Sequence, residues 1–468
     1  MIYNIRHIQV QGGKAQPTFT RKQPKPNTSN GGNRMKLSKH FVEVKVLDDV
    51  YAIYNNLIMD VVFVTSDELK SVHNLEFCED IMLQKGIYVE TESKDEEALQ
   101  VIRNQYLNEV CNLHIMYLIV TTNCNLGCKY CYIENNVCNN FREEYMSVET
   151  AKLAIDRYVE HLHKVGLKKA EIILYGGEPL VNWNTVKEIV LYTKQFDVDI
   201  EVSIVTNGTL IDEEKIDFII QNNVKIGISL DGPKEINDVN RVYRGNPASV
   251  YDRVIKSVQA LNAKKAEFGL SITISEQFLE HKAEIIEWLK EFPVNGIFYN
   301  LYHFSTLTDN WQEMYEESSD FLIDSFNELN KYKGLIEGRQ YRKFESVMEG
   351  KFKFSDCASV GCNQITIRPN GNMSICHCYS KTDKYVIGNL YEMTFEEALE
   401  SAEAKFWKYR SPIYKEECLK CEGLFLCGGG CPAQGEAMFG SRDEMDKPFC
   451  IHTKKSLDWL LKELYRNS

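Results

Sequence analysis

Between residues 113 and 302, short apolar runs alternate with helical patterns, and this alternation constrains the fold more than any other feature of the chain. Runs at 113–120 (LHIMYLIV), 171–175, 200–206, 225–230, 267–274 and 297–302 predict strands. Segments 148–164, 184–195, 212–222, 250–263 and 278–290 predict the helices between them. Apolar strands joined by helices build right-handed crossovers in a parallel sheet. Six such units predict an α/β fold of the partial (β/α)6, TIM-like barrel kind, with its chemistry at the C-terminal ends of the strands.

The flanks read differently. Residues 1–34 predict a disordered extension, because 12–34 is rich in Gly, Pro, Asn and Lys and nearly free of large apolar side chains. Residues 35–110 predict a small α+β domain. Period-2 alternation at 41–46, a turn at Asp48-Asp49 and strands at 50–54 and 57–64 lead to a helix start at Thr65, with Glu68 completing a capping box. The acidic segment 95–107 bridges this unit to the barrel, which spans 111–310. Residues 311–349 predict a helical linker. From 350 to 468 cysteine density rises while periodicity fades, so that unit needs metal or covalent staples, with one amphipathic helix at 453–466.

Composition narrows the chemistry. Lys+Arg number 54 against 67 Asp+Glu, a net charge of −13. That excludes the basic face of a nucleic-acid binder. No apolar run reaches the roughly 18 residues of a membrane span. The opening residues lack the apolar core of a secretion signal, which predicts a cytoplasmic protein. Fifteen cysteines in such a chain indicate metal or redox chemistry in a reducing compartment rather than disulfides.

Directly after the first barrel strand stands TTNCNLGCKYCY, with Cys124, Cys128 and Cys131 in C-x3-C-x2-C. Three thiolates on one loop can hold three irons of a 4Fe–4S cluster and leave the fourth open to a small molecule. A structural zinc wants four closed ligands, and no fourth Cys or His stands near at usual spacing. With Tyr130 before the last cysteine, the motif resembles the signature of the radical S-adenosylmethionine (SAM) superfamily. The resemblance extends to Gly176-Gly177-Glu178-Pro179 after the second strand, Ser203 to Gly208 at the third, and Ser229-Leu230-Asp231-Gly232-Pro233 with Arg241 after the fourth. It implies SAM chelated to the open iron. It implies contacts from Tyr130, Gly176, Gly177, Glu178, Ser203, Thr206, Asn207, Ser229, Asp231 and Arg241. The glycines would admit the backbone to the methionine ammonium, and Glu178 would accept from it.

The C-terminal array is similar to the SPASM domain, an iron–sulfur extension of radical SAM maturases. Cys357-x13-Gly371-x4-Cys376 fits its first half, and Cys418-x2-Cys421-x5-Cys427-x3-Cys431, then Cys450, its second. The resemblance implies two further 4Fe–4S clusters: a nearer one on Cys357, Cys362, Cys376 and Cys431, and an outer one on Cys418, Cys421, Cys427 and Cys450. Two zinc sites would staple the unit equally well, and Cys378 is an alternative to Cys376. Cys78, Cys111, Cys138 and Cys378 are left over.

The resemblance further implies three clusters in all and an external electron donor such as flavodoxin or ferredoxin. Its expected substrate is a ribosomally made precursor peptide, bound through its leader by a winged-helix-like 35–110 domain. The expected outcome is a thioether crosslink made after hydrogen abstraction by a 5′-deoxyadenosyl radical. A carbon–carbon crosslink is another outcome. Anaerobic sulfatase maturation is the nearest alternative, but there an Asp follows the Gly-x4-Cys cysteine, and here that residue is His377. His377, as a base, and Cys378 are the catalytic candidates. An iron–sulfur electron carrier or peptide-binding adaptor is the non-enzymatic alternative.

Overall fold

The computed structural model describes residues 35–135, 142–303, 309–333, 335 and 337–468. The predicted 1–34 extension and Cys138 lie outside the described residues.

Asp48-Asp49 turns the chain between strands β1 (Phe41–Leu47) and β2 (Val50–Asn55), and β3 (Val62–Val64) completes an antiparallel sheet in the order β1-β2-β3. Only the end of the predicted strand 57–64 is extended. Asn55 explains why: its Oδ1 accepts from Leu57 N (2.9 Å) and its carbonyl from Ile58 N and Met59 N, closing a turn. The Thr65–Glu68 capping box opens the helix Ser66–His73 as predicted. Asp95 is 2% exposed. It accepts from Ser38 Oγ (2.6 Å) and Lys39 N (2.8 Å), tying the helix Glu92–Glu109 to the start of the unit.

All six predicted barrel strands form. They are β4 (Ile115–Thr121), β5 (Lys169–Gly176), β6 (Asp199–Thr206), β7 (Lys225–Ser229), β8 (Gly269–Ile274) and β9 (Gly296–Leu301), parallel and in sequence order across the sheet. Helices cover the outer face. The helix Val148–Val165 buries Ala151, Ala154, Ile155, Tyr158 and Leu162, a repeat of three and four residues that lays one apolar stripe on the sheet. On that helix His161 is 2% exposed, with its ring between Glu396 Oε1 (2.9 Å) and Asn112 O (3.2 Å).

The sheet does not stop at six strands. Strand β10 (Gln364–Ile367) pairs parallel with β4, and β11 (Asn372–Ser374) and β12 (Val386–Asn389) follow antiparallel, giving nine strands in one sheet. The cysteine-rich unit is therefore hydrogen-bonded to the barrel wall. The segment read as a linker forms helices Trp311–Lys333 and Gly338–Met348, and the first packs on the C-terminal helix Lys447–Arg466. The N-terminal unit rests on the segment bearing Cys418 and Cys421. Tyr54 Oη donates to Glu422 O (2.8 Å), and Asn56 Nδ2 donates to Leu419 O (2.9 Å) and Cys421 O (3.0 Å). No helix among the described residues is long and apolar enough to cross a membrane.

Candidate iron–sulfur and SAM site

A cavity of about 930 Å³ opens at the C-terminal ends of the barrel strands and continues to the cysteine-rich unit. Cys124, Cys128 and Cys131 line it from the loop after β4, together with Tyr130. Burial pushes the Cys124 thiol up to about 12 and Cys128 to about 11. Such thiols stay protonated unless a cation takes the proton's place, and iron does so. Leu126 N donates to Cys124 Sγ (3.4 Å), and Asn207 Nδ2 approaches it at 3.9 Å. Buried sulfurs with N–H donors aimed at them fit a cluster of the 4Fe–4S kind. Among the described residues, no three His, Cys, Asp or Glu side chains converge as they would on a single metal ion.

The remaining predicted SAM contacts divide. Gly176, Gly177, Thr206, Asn207, Ser229 and Arg241 line the cavity. Glu178, Ser203 and Asp231 are not on its wall. Glu178 is fully buried; its Oε1 accepts from Thr206 Oγ1 (2.7 Å) and Leu180 N (3.0 Å), and its Oε2 from Asn207 N (2.7 Å). Both oxygens are committed, so Glu178 shapes the end of β6 instead of offering a charge to a ligand. Ser203 Oγ donates to Glu171 Oε1 (2.8 Å). Asp231 grips Arg241 through both oxygens (2.9 and 3.1 Å), accepts from Thr273 N (2.9 Å), and also takes the Tyr130 hydroxyl. It therefore sets Arg241 and Tyr130, which do face the cavity.

The glycines also permit a close approach of backbone to backbone. A Cβ on Gly176, whose φ is +139°, would stand 2.0 Å from Thr121 O, and one on Gly177 would stand 2.2 Å from Asn123 O. Gly177 N and Glu178 N donate to those same two carbonyls (2.9 and 2.8 Å). The two glycines let the end of β5 lie directly on the loop that carries Cys124.

Across the cavity stand Cys357, Cys376, His377, Cys378 and Cys431. His377 stacks on Tyr117 (centroids 4.4 Å apart) and meets Tyr175 edge-on (5.1 Å). Burial lowers it to about 4, so the imidazole is neutral. Its Nδ1 has no hydrogen-bond partner among the described residues. Cys362 stands apart from these four cysteines. It is absent from the cavity wall, its Sγ donates to Ala404 O (3.1 Å), and its thiol pairs with Cys111. Cys418, Cys421, Cys427 and Cys450 are mutual neighbours in a separate group. Gly423 N donates to Cys421 Sγ and Gly429 N to Cys427 Sγ, both at 3.4 Å.

The sequence reading missed the aromatic wall. Tyr117, Tyr132 and Tyr175 line the cavity, with the Tyr132 and Tyr175 hydroxyls 2.8 Å apart. It also missed His303, whose Nε2 lies 4.0 Å from Cys431 Sγ. His303 follows the last predicted strand, a position that a rule about strand ends would have flagged.

A parallel partial barrel with three half-buried thiols on its first strand–helix loop defines an iron–sulfur enzyme that works on a small molecule held at its strand ends. The comparisons with known proteins give the family. The Radical SAM superfamily model matches residues 118–289 and the SPASM model, an iron–sulfur cluster-binding domain, matches 357–422. The chain belongs to the radical SAM superfamily and carries a SPASM domain; it is an enzyme.

It is 24% identical over 442 residues to the radical SAM cyclopropyl synthase TigE of Paramaledivibacter caminithermalis, covering 89% of this chain and 86% of that protein. It is 28% identical over 373 residues to a cysteine-type anaerobic sulfatase-maturating enzyme of Clostridium novyi, covering 75% and 96%. Two solved structures share the fold. The enzyme anSMEcpe with bound AdoMet and the Cp18Cys peptide gives a TM-score of 0.63 at 21% identity, covering 75% and 97%. Streptococcus suis SuiB bound to its precursor peptide SuiA gives 0.52 at 13% identity, covering 88% and 98%.

Proposed function

We propose that this enzyme modifies a ribosomally synthesised precursor peptide, and that a thioether between a cysteine sulfur and a carbon is the bond it makes. The observation that carries the peptide reading is the shared cavity. One wall holds Cys124, Cys128 and Cys131; the facing wall holds Cys357, Cys376, Cys378 and Cys431; the space between them takes a side chain delivered on a backbone. When the cluster and SAM are bound at the first wall, they supply a 5′-deoxyadenosyl radical that takes a hydrogen atom from an unactivated carbon.

The chain's own residues do the positioning. Arg241, fixed by Asp231, and Asn207, fixed by Glu178, present charge and amide to the SAM side of the cavity. Tyr117, Tyr132, Tyr175 and His377 form a largely apolar face that keeps water from a radical. His377, neutral and in the cavity wall, is the base that takes a proton from the substrate. The 35–110 unit binds the peptide's leader, and β1 at the edge of its sheet is the strand that an extended peptide would join. An external flavodoxin or ferredoxin supplies electrons, in the cytoplasm.

The likeness of this chain to SuiB, whose structure holds a precursor peptide, supports the reading. Formylglycine formation on a sulfatase is the second reading, favoured by the match to the Clostridium novyi enzyme. Mass spectrometry of a co-expressed cysteine-containing peptide separates them. Loss of about two hydrogens with one free thiol gone supports the thioether. Conversion of a single cysteine to an aldehyde supports the sulfatase reading. If reduced, reconstituted enzyme made no 5′-deoxyadenosine from SAM with peptide present, both readings would fall.

A further inference from the structure

Nine cysteines occupy the C-terminal unit, and spacing alone assigned eight of them to two clusters. The fold arranges them otherwise. Cys357, Cys376 and Cys431 share one wall of the cavity, and Cys357 counts the other two among its nearest charged neighbours. The fourth sulfur there belongs to Cys378. It is buried, it lines the same cavity, and Cys376 and Cys431 are its nearest titratable neighbours. A single turn of helix, His377–Tyr379, folds Cys378 back beside Cys376 so that His377 points between them to the tyrosines.

Cys362 is held away by three separate features. Its backbone is left-handed (φ +54°), its N–H is tied to Ser359 O (3.1 Å), and its Sγ is engaged with Ala404 O and Cys111. Two residues later β10 begins, hydrogen-bonded to β4, which anchors the backbone close to Cys362.

We infer that Cys378, not Cys362, is the fourth thiolate of the nearer auxiliary cluster, and that Cys357, Cys376, Cys378 and Cys431 together leave that cluster no open iron. The inference rests on the reading that this unit holds two auxiliary clusters. Its consequence is specific. A cluster closed by four cysteines exchanges electrons with a substrate radical but does not bind a substrate thiolate. Cys378 is thereby a ligand and not a free catalytic thiol, and the half-buried Cys111 with the buried Cys362 serves the packing between the barrel's first strand and the cysteine-rich unit.

The test is iron and sulfide content of the full-length, anaerobically reconstituted protein, with electron paramagnetic resonance spectra of the reduced and mildly oxidised forms. Wild type should hold about twelve irons per chain. Cys362→Ala should keep them and the wild-type spectra. Cys378→Ala should lose about four irons, or keep about three in that site and show a 3Fe–4S signal on oxidation. The SAM-induced change in the spectrum of the first cluster should persist in both variants, which verifies that the barrel is folded. Cys378→Ser, which keeps an oxygen ligand, should fall between wild type and Cys378→Ala in iron content. Full iron and unchanged spectra in Cys378→Ala would overturn the ligand assignment, as would loss of about four irons in Cys362→Ala. Wild type holding only about four irons would overturn the two-cluster reading itself, whichever cysteine is changed.

Discussion

Asp231 shows how a buried charge serves this site from outside it. The carboxylate is almost wholly buried and engages Arg241, Thr273 N and Tyr130 at once. Breaking such a pair by removing one partner strands the other charge, at a cost of about 3–5 kcal/mol. Asp231→Asn should therefore lower unfolding free energy by that order in chemical denaturation and weaken SAM binding. Asp231→Leu with Arg241→Met should recover most of the stability and none of the binding.

A second residue makes a pH prediction. Burial raises the Glu171 carboxyl above its ordinary value of 4.5. The folded chain then holds that proton to higher pH than the unfolded chain. The contribution to stability is complete below about pH 4.5 and is lost as pH rises through the folded value. Melting temperatures of wild type should fall relative to Glu171→Gln as pH climbs from about 4.5 toward neutrality; parallel curves would refute it. None of these roles was legible in the sequence. The motif put Glu178 and Asp231 just past strand ends and Ser203 in the last half of β6, but position along a strand does not reveal whether a side chain turns to the cavity or back into the wall.

At the scale of elements, the run Gly428-Gly429-Gly430 joins the two cysteine groups, between Cys427 and Cys431. All three are left-handed, with φ of +75°, +86° and +67°. A Cβ on Gly428 would stand 2.3 Å from Asp356 N, a backbone atom that cannot move aside. Gly428→Ala should thus shift both cysteines it separates, and iron analysis should show loss from the auxiliary clusters with the first cluster kept. The capping box at Thr65 is a milder case: Thr65→Ala should cost about 1 kcal/mol by thermal or chemical unfolding.

The six barrel strands were readable because each is an apolar run of five residues or more between helices. Strands β10 to β12 were not. They have three or four residues, Gln, Asn, Ser or Gly stand among them, and no period survives at that length. The cysteine spacings gave the groups at 124–131 and 418–450. The family pattern offered Cys362 for the nearer group and the proposal above puts Cys378 there, a choice that spacing cannot make because it carries no information on which side of a β-strand's approach a thiol is presented.

At the scale of the molecule, the N-terminal unit bears directly on cysteine chemistry. Asn56 holds the carbonyls of Leu419 and Cys421, and Tyr54 holds that of Glu422. Asn56→Ala with Tyr54→Phe should speed amide hydrogen exchange over residues 418–423 while leaving the barrel strands protected. Equal exchange in both proteins would show that the contact carries no load.

The pairing of β10 with β4 has a consequence for electron transfer. The strand that delivers Cys124, Cys128 and Cys131 and the strand that follows Cys357 and precedes Cys376 are neighbours in one hydrogen-bonded sheet. Two metal centres mounted on adjacent strands cannot drift apart as a substrate enters or leaves. On the proposed function, the tunnelling distance between the two clusters is a constant of the fold, and substrates of different bulk are accommodated by their own conformation, not by a change in the wiring.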